Sequence, residues 1–259
     1  MTLVLVHGFL GASNNWLGVT NLLKKKNIET FLVDLRWHGG DPNRWSVANS
    51  ENIDTQAVAD DLEKQLEARF KQNEELILLG HSFGLRPVLK LASKASPKLK
   101  IKAIVAEDSL PLLSTDGQDL LVKVLSKTPV PFSSRPEARD FFDAEFGKNS
   151  ALSRFLFSNI REREGVHTWR FDADILLKLL ASSVSEPLTK EWLSIEKPVH
   201  MIVGERSTHL SNDDATAWCQ KRKDKNLSCS LSFVGGAGHW VHADNPQGFV
   251  EELAKVVNC

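Results

Sequence analysis

Three residues whose side chains together support nucleophilic catalysis follow three separate predicted strands of this sequence. Ser82 is the central residue of a Gly-His-Ser-Phe-Gly pentapeptide, Asp108 follows a later apolar run, and His239 follows a glycine-rich turn. A serine hydroxyl is a weak nucleophile that needs an adjacent base. The imidazole of that base needs a carboxylate to fix its tautomer and orientation. If the three side chains converge in space, they predict acyl transfer through a serine nucleophile.

The pentapeptide from Gly80 to Gly84 has the local context of a nucleophile elbow. It follows the apolar run 76–79, which is too short for a helix and predicts a buried strand. It precedes residues 85–94, whose apolar positions have helical spacing. A strand, a sharp turn and a helix in this order place a serine in strained backbone geometry, and the flanking glycines leave the room that the turn needs. We therefore expect the Ser82 hydroxyl to project from the edge of a sheet.

Apolar runs alternate with helical patterns along most of the chain, which predicts an α/β fold with a mostly parallel sheet of about six strands. The predicted strands are 3–6, 30–33, 76–79, 101–106, 199–203 and 230–234, and the main predicted helices are 13–26, 54–70, 85–94, 213–222 and 246–257. In an open parallel sheet, ligands bind outside the carboxyl ends of the strands. The residues that follow these strands are therefore expected to meet at one edge of the sheet.

The segment 112–195 interrupts the alternation and is predicted to be a helical cap inserted after the fourth strand. It has helical patterns broken by prolines and shows no clear strand. Because the sheet resumes after it, residues 1–111 and 196–259 are predicted to form one core domain. The segment is rich in phenylalanine and tryptophan. These side chains either pack the interior of the cap or line an acyl pocket.

The acid and the base of the predicted triad each have rivals in the sequence. Asp108 is the preferred acid because it follows the fourth strand, whereas Glu205 and Asp213 are the alternatives near the fifth. His239 is preferred over His242 as the base because a glycine comes directly before it. An imidazole takes up a proton near neutral pH, so activity is expected to fall on acidification.

The tetrahedral intermediate of such a reaction needs two N–H donors. The backbone N–H of Phe83 is the first candidate, because it follows the nucleophile at the start of a helix. The N–H of Phe9, which follows a glycine after the first strand, is the second. His7 is predicted to hold this loop, and His81 to line the pocket or to bond locally.

Composition excludes several other classes of function. The net charge is −1 and no basic stripe is present, so nucleic acid is not an expected partner. No apolar run approaches the roughly 18 residues that a membrane span needs. Cys219, Cys229 and Cys259 show no metal-binding spacing, and neither a metal nor a cofactor is expected. Reduced thiols and the lack of a signal-peptide pattern predict a cytoplasmic protein, or an organellar one if the N-terminus is incomplete.

Five motifs of the chain resemble those of the α/β-hydrolase superfamily, and within it of the small YbfF-type bacterial esterases and their α/β-hydrolase-domain-containing acyl hydrolase relatives. The motifs are His7-Gly8-Phe9-Leu10-Gly11, Asp34-Leu35-Arg36-Trp37-His38-Gly39, Gly80-His81-Ser82-Phe83-Gly84, Trp169-Arg170-Phe171 and Gly238-His239-Trp240-Val241-His242-Ala243-Asp244. The resemblance covers the whole chain. It implies a helical cap and hydrolysis of carboxylic esters or acyl thioesters through an acyl-enzyme.

Two departures from the superfamily pattern are visible in the sequence. Many members carry the triad acid in a Gly-x-x-Asp motif after the fifth strand predicted here, and this chain has Ser207 at that position. The YbfF-like branch also tends to lack that acid, which leaves Asp108 to serve. The β-hairpin that usually precedes the first strand is absent from this sequence, so one edge of the sheet is expected to be exposed.

Other functions of the same fold are alternatives to hydrolysis. A ligand-binding receptor with little turnover, a lyase and a perhydrolase all remain compatible with the fold, because a fold does not define a reaction. Dehalogenases and epoxide hydrolases are disfavoured because they use an aspartate nucleophile, whereas this chain has Ser82. The expected partner is a small acyl ester or thioester substrate.

Overall fold

The computed structural model describes residues 1–38, 52–94, 97–113 and 115–257, with the side chains of residues 115 and 116 left out. Gly39 of the second motif and Cys259 lie outside the described residues. The strands are β1 (Thr2–Val6), β2 (Glu29–Val33), β3 (Glu75–His81), β4 (Lys100–Glu107), β5 (Ile160–Arg163), β6 (Val166–Trp169), β7 (Val199–Gly204) and β8 (Cys229–Val234).

The helices that the structure describes cover both faces of the sheet and form most of the cap. They are α1 (Leu17–Lys25), α2 (Thr55–Arg69), α3 (Leu85–Ser93), α4 (Thr115–Lys127), α5 (Arg135–Phe146), α6 (Ala151–Phe157), α7 (Ala173–Val184), α8 (Thr189–Trp192), α9 (Asn212–Lys223), α10 (Val241–Asp244) and α11 (Pro246–Val257). Two 3₁₀ turns, Ser13–Trp16 and Ser82–Gly84, precede α1 and α3. None of the described helices is long and apolar enough to cross a membrane.

The six strands β2, β1, β3, β4, β7 and β8 lie side by side in this order in one sheet. Every neighbouring pair is parallel. This arrangement confirms the predicted α/β-hydrolase fold with its parallel sheet. The elbow strand β3 lies inside the sheet, between β1 and β4. Because the three strands are parallel, the residues that follow them lie next to one another at the same edge of the sheet. Within the part of the sheet that the structure describes, β2 pairs with β1 alone and forms one outer strand.

The predicted helix 13–26 differs from the structure in its first turn. Residues 13–16 form a 3₁₀ turn, and the α-helix begins at Leu17. Ser13 does not cap this helix, because its hydroxyl donates to Asp34 Oδ2 at 2.9 Å. The side chain of Asn15 instead accepts from the N–H of Ala12 at 2.6 Å. The helix α2 does begin as predicted, with Asp54 accepting from the N–H of Ala57 at 2.8 Å.

The prediction that the cap contains no strand is wrong. β5 and β6 form an antiparallel hairpin that pairs Ile160 with Trp169. Its two-residue turn, Glu164-Gly165, has φ angles of 52° and 83°, and a type I′ hairpin turn requires positive φ at both positions. Each strand has only four residues, with charged side chains in β5. These two strands are too short and too polar to contain an apolar run, which was the signal that predicted the strands of the sheet.

Two apolar layers cover the two faces of the sheet. On one face, α1 and α11 pack Val19, Leu23 and Phe249 against the side chains of β1 and β3. On the other face, α2 and α3 pack against the sheet in a cluster that continues into the cap through Phe142 and Trp169. The cap and the sheet thus share one continuous core, and the cavity described below lies between them.

Candidate active site

The backbone at Ser82 has the geometry of a nucleophile elbow. Ser82 follows β3 directly and has a φ of 51°, a strained value for a residue with a side chain. A Cβ atom at Gly80 would lie 2.5 Å from the backbone nitrogen of Leu85, and one at Gly84 would lie 2.5 Å from the carbonyl oxygen of His7. The turn therefore requires glycine at both flanking positions, as the pentapeptide predicted.

Asp108 and His239 are joined by a hydrogen bond. The imidazole Nδ1 lies 2.7 Å from Asp108 Oδ2, and the two residues are 131 positions apart in the chain. Asp108 comes directly after β4, its φ is 43°, and its side chain is fully buried. Because Nδ1 donates to the carboxylate, Nε2 carries the lone pair that a general base needs.

The alternative acids, Glu205 and Asp213, and the alternative base, His242, are not part of the Asp108–His239 pair. Glu205 accepts a hydrogen bond from the N–H of Gly236 at 3.0 Å, and both Glu205 and Asp213 are exposed. His242 pairs with Glu107, because its Nδ1 lies 2.7 Å from Glu107 Oε1. The structure thus brings His239 to Asp108 and keeps His242 in a separate buried pair.

Ser207 holds the Asp108 carboxylate in place. Its hydroxyl donates to Asp108 Oδ2 at 2.6 Å and accepts from the N–H groups of His209 and Leu210 at 3.2 and 3.3 Å. The N–H of Gly204 donates to the other carboxylate oxygen at 3.1 Å. Ser207 occupies the sequence position where many superfamily members carry an acid. The sequence therefore identified position 207 as a departure from the superfamily pattern, but it did not predict the hydrogen bond from Ser207 to Asp108.

Burial and hydrogen bonding set the protonation states of this pair. Burial lowers the pKa of His239, so the imidazole is neutral and able to accept a proton at neutral pH. Burial raises the pKa of Asp108 to about 6, although the hydrogen bonds from Ser207 and Gly204 act in the opposite direction. The carboxylate is therefore still ionised at pH 7, as the orientation of His239 requires.

Ser82 and His239 line the same cavity, which has a volume of about 260 Å³. Its wall on the cap side is mostly apolar, with Gln118 as a polar side chain among Leu113, Leu120, Leu121, Val124, Leu152, Phe155, Leu156 and Leu180. Among the described residues, no hydrogen bond joins the Ser82 hydroxyl to His239. Catalytic hydrogen bonds are often long without substrate and tighten when it binds, so this geometry is compatible with proton transfer.

The loop after β1 packs tightly against the elbow. Phe9 lines the cavity, and its ring contacts that of Phe83 with centroids 5.2 Å apart. His7 Nδ1 donates to the carbonyl oxygen of Gly8 at 2.8 Å, and Nε2 accepts from the N–H of Leu35 at 3.0 Å. Burial lowers the pKa of His7 to about 3, which keeps the ring neutral. These contacts support the predicted role of His7 in holding the loop.

Arg170 connects the cap to this loop. It follows β6, is buried, and donates from Nη2 to the carbonyl oxygens of Leu10, at 3.0 Å, and Gly11. Only the resemblance of the Trp169-Arg170-Phe171 motif marked this residue in the sequence. Its partner is about 160 residues away, so no local pattern identified the contact.

Two further histidines lie against His239. The ring of His209 stacks on that of His239, with centroids 4.1 Å apart and planes 19° apart. His81 lines the cavity, as predicted, and its Nε2 lies 3.0 Å from the carbonyl oxygen of His239, a partner 158 residues away and not a local one. The sequence contained no signal for His209, which lies in a loop between β7 and α9.

His81, Glu107 and His242 are the described residues that could hold a metal ion. Each offers one ligand atom, and these atoms lie within 4.8 Å of one another. No step of the triad chemistry requires a metal at this cluster.

Known proteins with similar sequences and structures include several esterases. The chain is 27% identical to esterase YbfF of Escherichia coli (strain K12) over 263 residues, which are 99% of this chain and 92% of that protein. It is 24% identical to the mouse (Mus musculus) sn-1-specific diacylglycerol lipase ABHD11 over 258 residues, which are 97% of this chain and 79% of the relative. The structure of a marine microorganism esterase has a TM-score of 0.77 at 23% identity, with 98% of this chain and 94% of that chain covered.

A model of the alpha/beta hydrolase family matches residues 3–252, from the first strand into the last helix. The match includes the elbow, the residues that surround it and the cap. The chain therefore belongs to the alpha/beta hydrolase family, as its motifs predicted.

Proposed function

We propose that this protein is a serine hydrolase that cleaves carboxylic esters or acyl thioesters with an apolar acyl group. The observation that carries the proposal is the hydrogen bond between Asp108 and His239 beside a cavity that Ser82 also lines. The names of two relatives, an esterase and a diacylglycerol lipase, support the same class of reaction.

In the proposed reaction, the Ser82 hydroxyl attacks the carbonyl carbon of the substrate. His239 Nε2 takes the hydroxyl proton, and Asp108 stabilises the imidazolium that forms. The N–H groups of Phe9 and Phe83 stabilise the negative oxygen of the tetrahedral intermediate. The leaving group departs with the proton from His239 and leaves an acyl-enzyme. A water molecule, deprotonated by His239, then releases the carboxylic acid and restores Ser82.

The lining of the cavity supports an uncharged acyl group of small to medium size. Among the described lining residues, no lysine, arginine, aspartate or glutamate occurs, and most of the cap side consists of leucines. A volume of about 260 Å³ lies just below the range of about 300–1,000 Å³ typical of ligand pockets. A charged acyl group would lose its hydration there without gaining a partner.

The substitution Ser82→Ala tests the proposal most directly. Hydrolysis of p-nitrophenyl butyrate is expected to fall by about 10⁶-fold, the loss typical of a removed serine nucleophile. Ser158→Ala, at an exposed serine of the cap, is a matched control that should retain full activity. A series of acyl chain lengths on oxygen and thiol leaving groups would then define the substrate.

Covalent labelling separates a hydrolase from a binding protein on the same fold. A fluorophosphonate probe should label the parent protein and not the Ser82→Ala variant. If the folded parent protein is not labelled and does not turn over esters or thioesters, the hydrolase proposal is wrong and a receptor-like role is favoured.

A further inference from the structure

Two buried polar residues that have no role in the mechanism above come directly before two members of the proposed triad. His81 precedes Ser82, and Glu107 precedes Asp108. The two residues are 4% and 0% exposed. Both contact the segment 239–242, which begins with the third member, His239. The ends of β3 and β4 therefore supply reactive groups and also contacts to the segment that carries the base.

Glu107 holds the end of this segment through one carboxylate oxygen. Its Oε1 accepts from the backbone N–H of His242 at 2.8 Å and from Nδ1 of the same residue at 2.7 Å. Because Nδ1 donates to Glu107, the free Nε2 of His242 lies on the far side of the ring, so the two groups do not share one metal ion. The two hydrogen bonds instead fix both the backbone and the side chain of His242.

His81 holds the start of the segment. Its Nε2 donates to the carbonyl oxygen of His239 at 3.0 Å, because a carbonyl oxygen can only accept. The ring of His81 also packs against the rings of His239 and His242, with centroids 4.8 and 5.1 Å apart. The segment is therefore held at both ends by residues that adjoin the proposed nucleophile and the proposed acid.

Left-handed backbone after β4 explains how two consecutive carboxylates contact one segment. Successive side chains of a strand point to opposite faces of the sheet. Asp108 directly follows the strand and has a φ of 43°, which ends this alternation. Its carboxylate contacts His239, and that of Glu107, one position earlier, contacts His242. Strained backbone of this kind persists only where the surrounding contacts determine it.

We propose that Glu107 and His81 are positioning residues that keep His239 where it can take the proton of Ser82. This role rests on the proposed function. Glu107 is not among the described residues that line the cavity, so it acts on hydrolysis through the residues that it contacts. A displacement of about 1 Å can lower the rate of an enzyme by about 100-fold, so such contacts matter without touching the substrate.

Substitutions at Glu107 test the proposal. Glu107→Leu removes the acceptor, and kcat for p-nitrophenyl butyrate per folded molecule should fall by about 100-fold, with KM changed by less than about threefold. Glu107→Gln keeps an acceptor oxygen, and its kcat should stay within about tenfold of that of the parent, since a neutral acceptor bonds more weakly than a carboxylate. Urea denaturation gives the folded fraction of each variant.

His200→Leu is the matched control. His200 also makes a side-chain hydrogen bond, with Ser230 at 2.7 Å, but it lies near the start of β7, at the end of the strand away from the site. Its kcat per folded molecule should equal that of the parent. A loss as large as that of Glu107→Leu would overturn the proposal, because any disturbance of the sheet would then have the same effect.

Substitutions at His81 keep the proposal testable if Glu107→Leu does not fold. His81→Leu removes the donor to His239, and kcat should fall by about 10-fold, the value of one hydrogen bond. His81→Gln places an amide N–H near the position of Nε2 and should recover most of that loss. A leucine variant that folds and keeps full kcat would overturn the role of its residue. A glutamine variant as impaired as the leucine variant would do the same.

The proton between Asp108 and His239 gives a readout that needs no hydrolysis. It should produce a ¹H NMR resonance far downfield of the amide protons, which His239→Gln removes. Glu107→Leu should shift or broaden this resonance, and His200→Leu should not. If the resonance responds but the parent chain hydrolyses no ester or thioester, only the hydrolase proposal fails. If the parent chain is active and Glu107→Leu changes neither the resonance nor kcat, only the positioning proposal fails.

Discussion

Position 207, where many members of the superfamily carry an acid, is a serine in this chain, and the proposed acid, Asp108, directly follows β4. Ser207 donates to Asp108 at 2.6 Å, and the N–H of Gly204 donates at 3.1 Å. A buried carboxylate without such donors would be protonated more easily and would orient His239 poorly. The serine therefore helps to keep the carboxylate of Asp108 ionised and in position.

Removing the Ser207 hydroxyl should slow turnover. A hydrogen bond to a charged group contributes about 1.5–3 kcal/mol, so Ser207→Ala should lower kcat by about 10- to 100-fold. Ser207→Thr retains a hydroxyl and should recover most of the loss. Steady-state kinetics on p-nitrophenyl butyrate measures both variants. Full activity of the alanine variant would show that Asp108 does not depend on this contact.

The acidic limb of kcat/KM should report the titration of the Asp108–His239 pair, because burial raises the pKa of Asp108 to about 6 and the carboxylate must be ionised to orient the imidazole. Burial lowers the pKa of His239, so the base stays neutral below its usual value of 6.5, and activity should be lost as the pH falls through about 6 and Asp108 takes up a proton. Asp108, His81, His209 and His242 face or contact this ring. A pH series of kcat/KM measures the acidic limb. A midpoint above 6.5 would contradict the expectation.

At the scale of elements, two buried arginines fasten the cap to the core. Arg170 joins the end of β6 to the loop that carries Phe9. Arg86 of α3 donates to the carbonyl oxygens of Ser183, at 2.8 Å, and Glu186, at the end of α7. The hairpin and the last helices of the cap are therefore each tied to an element beside Ser82.

Arg170→Lys should lower kcat more than it changes KM. A lysine cannot reproduce the fork of donors, so the loop that carries Phe9 loses support that matters most when negative charge develops on the substrate. A loss of about 10-fold in kcat is expected, which corresponds to the free energy of one hydrogen bond to a charged group.

Arg222→Lys is the matched control for Arg170→Lys. Arg222 is also buried and also donates to carbonyl oxygens, among them those of Ile195 and Lys197, but it lies away from the cavity. Urea denaturation should show a loss of stability in both variants, whereas kcat per folded molecule should fall only for Arg170→Lys. Equal effects on kcat would contradict a specific role of Arg170 at the loop.

At the scale of the whole molecule, the cavity lies between the cap and the edge of the sheet. Cap residues form one wall, and Ser82 and His239 line the opposite side. The ring of Phe155 in the cap contacts that of Trp240, with centroids 5.5 Å apart, so the cap also touches the loop of His239. Substrate selection should therefore depend on the cap, and bond cleavage on the core.

Leu180→Ala should shift the preference of the enzyme toward longer acyl chains. Leu180 of α7 lines the cavity, and shortening it enlarges the space for the acyl group. Leu179, also buried in α7, is not among the described lining residues, and Leu179→Ala is the matched control. Each variant should lose about 2–5 kcal/mol of stability, but only Leu180→Ala should change the profile of kcat/KM against chain length. If both variants have the same profile of kcat/KM against chain length, the acyl group does not bind beside Leu180.

The parallel sheet, its helices and the elbow could be predicted because their signals are local. An apolar run, a Gly-x-Ser-x-Gly turn and a helical pattern occur in consecutive residues, and the two glycines are required by contacts within the turn and with β1. The hairpin β5–β6 was missed because its strands are short and polar. The start of the predicted helix 13–26 was wrong because residues 13–16 form a 3₁₀ turn, in which Ser13 bonds to Asp34.

The amino-acid sequence by itself determined which residue types follow the strands and therefore which could meet at one edge. Only the tertiary structure decided the pairs: Asp108 with His239, Glu107 with His242, and Arg170 with the loop after β1. These partners are more than 100 residues apart. No local periodicity encodes such a contact, because it forms only when the packed sheet and the cap bring distant segments together.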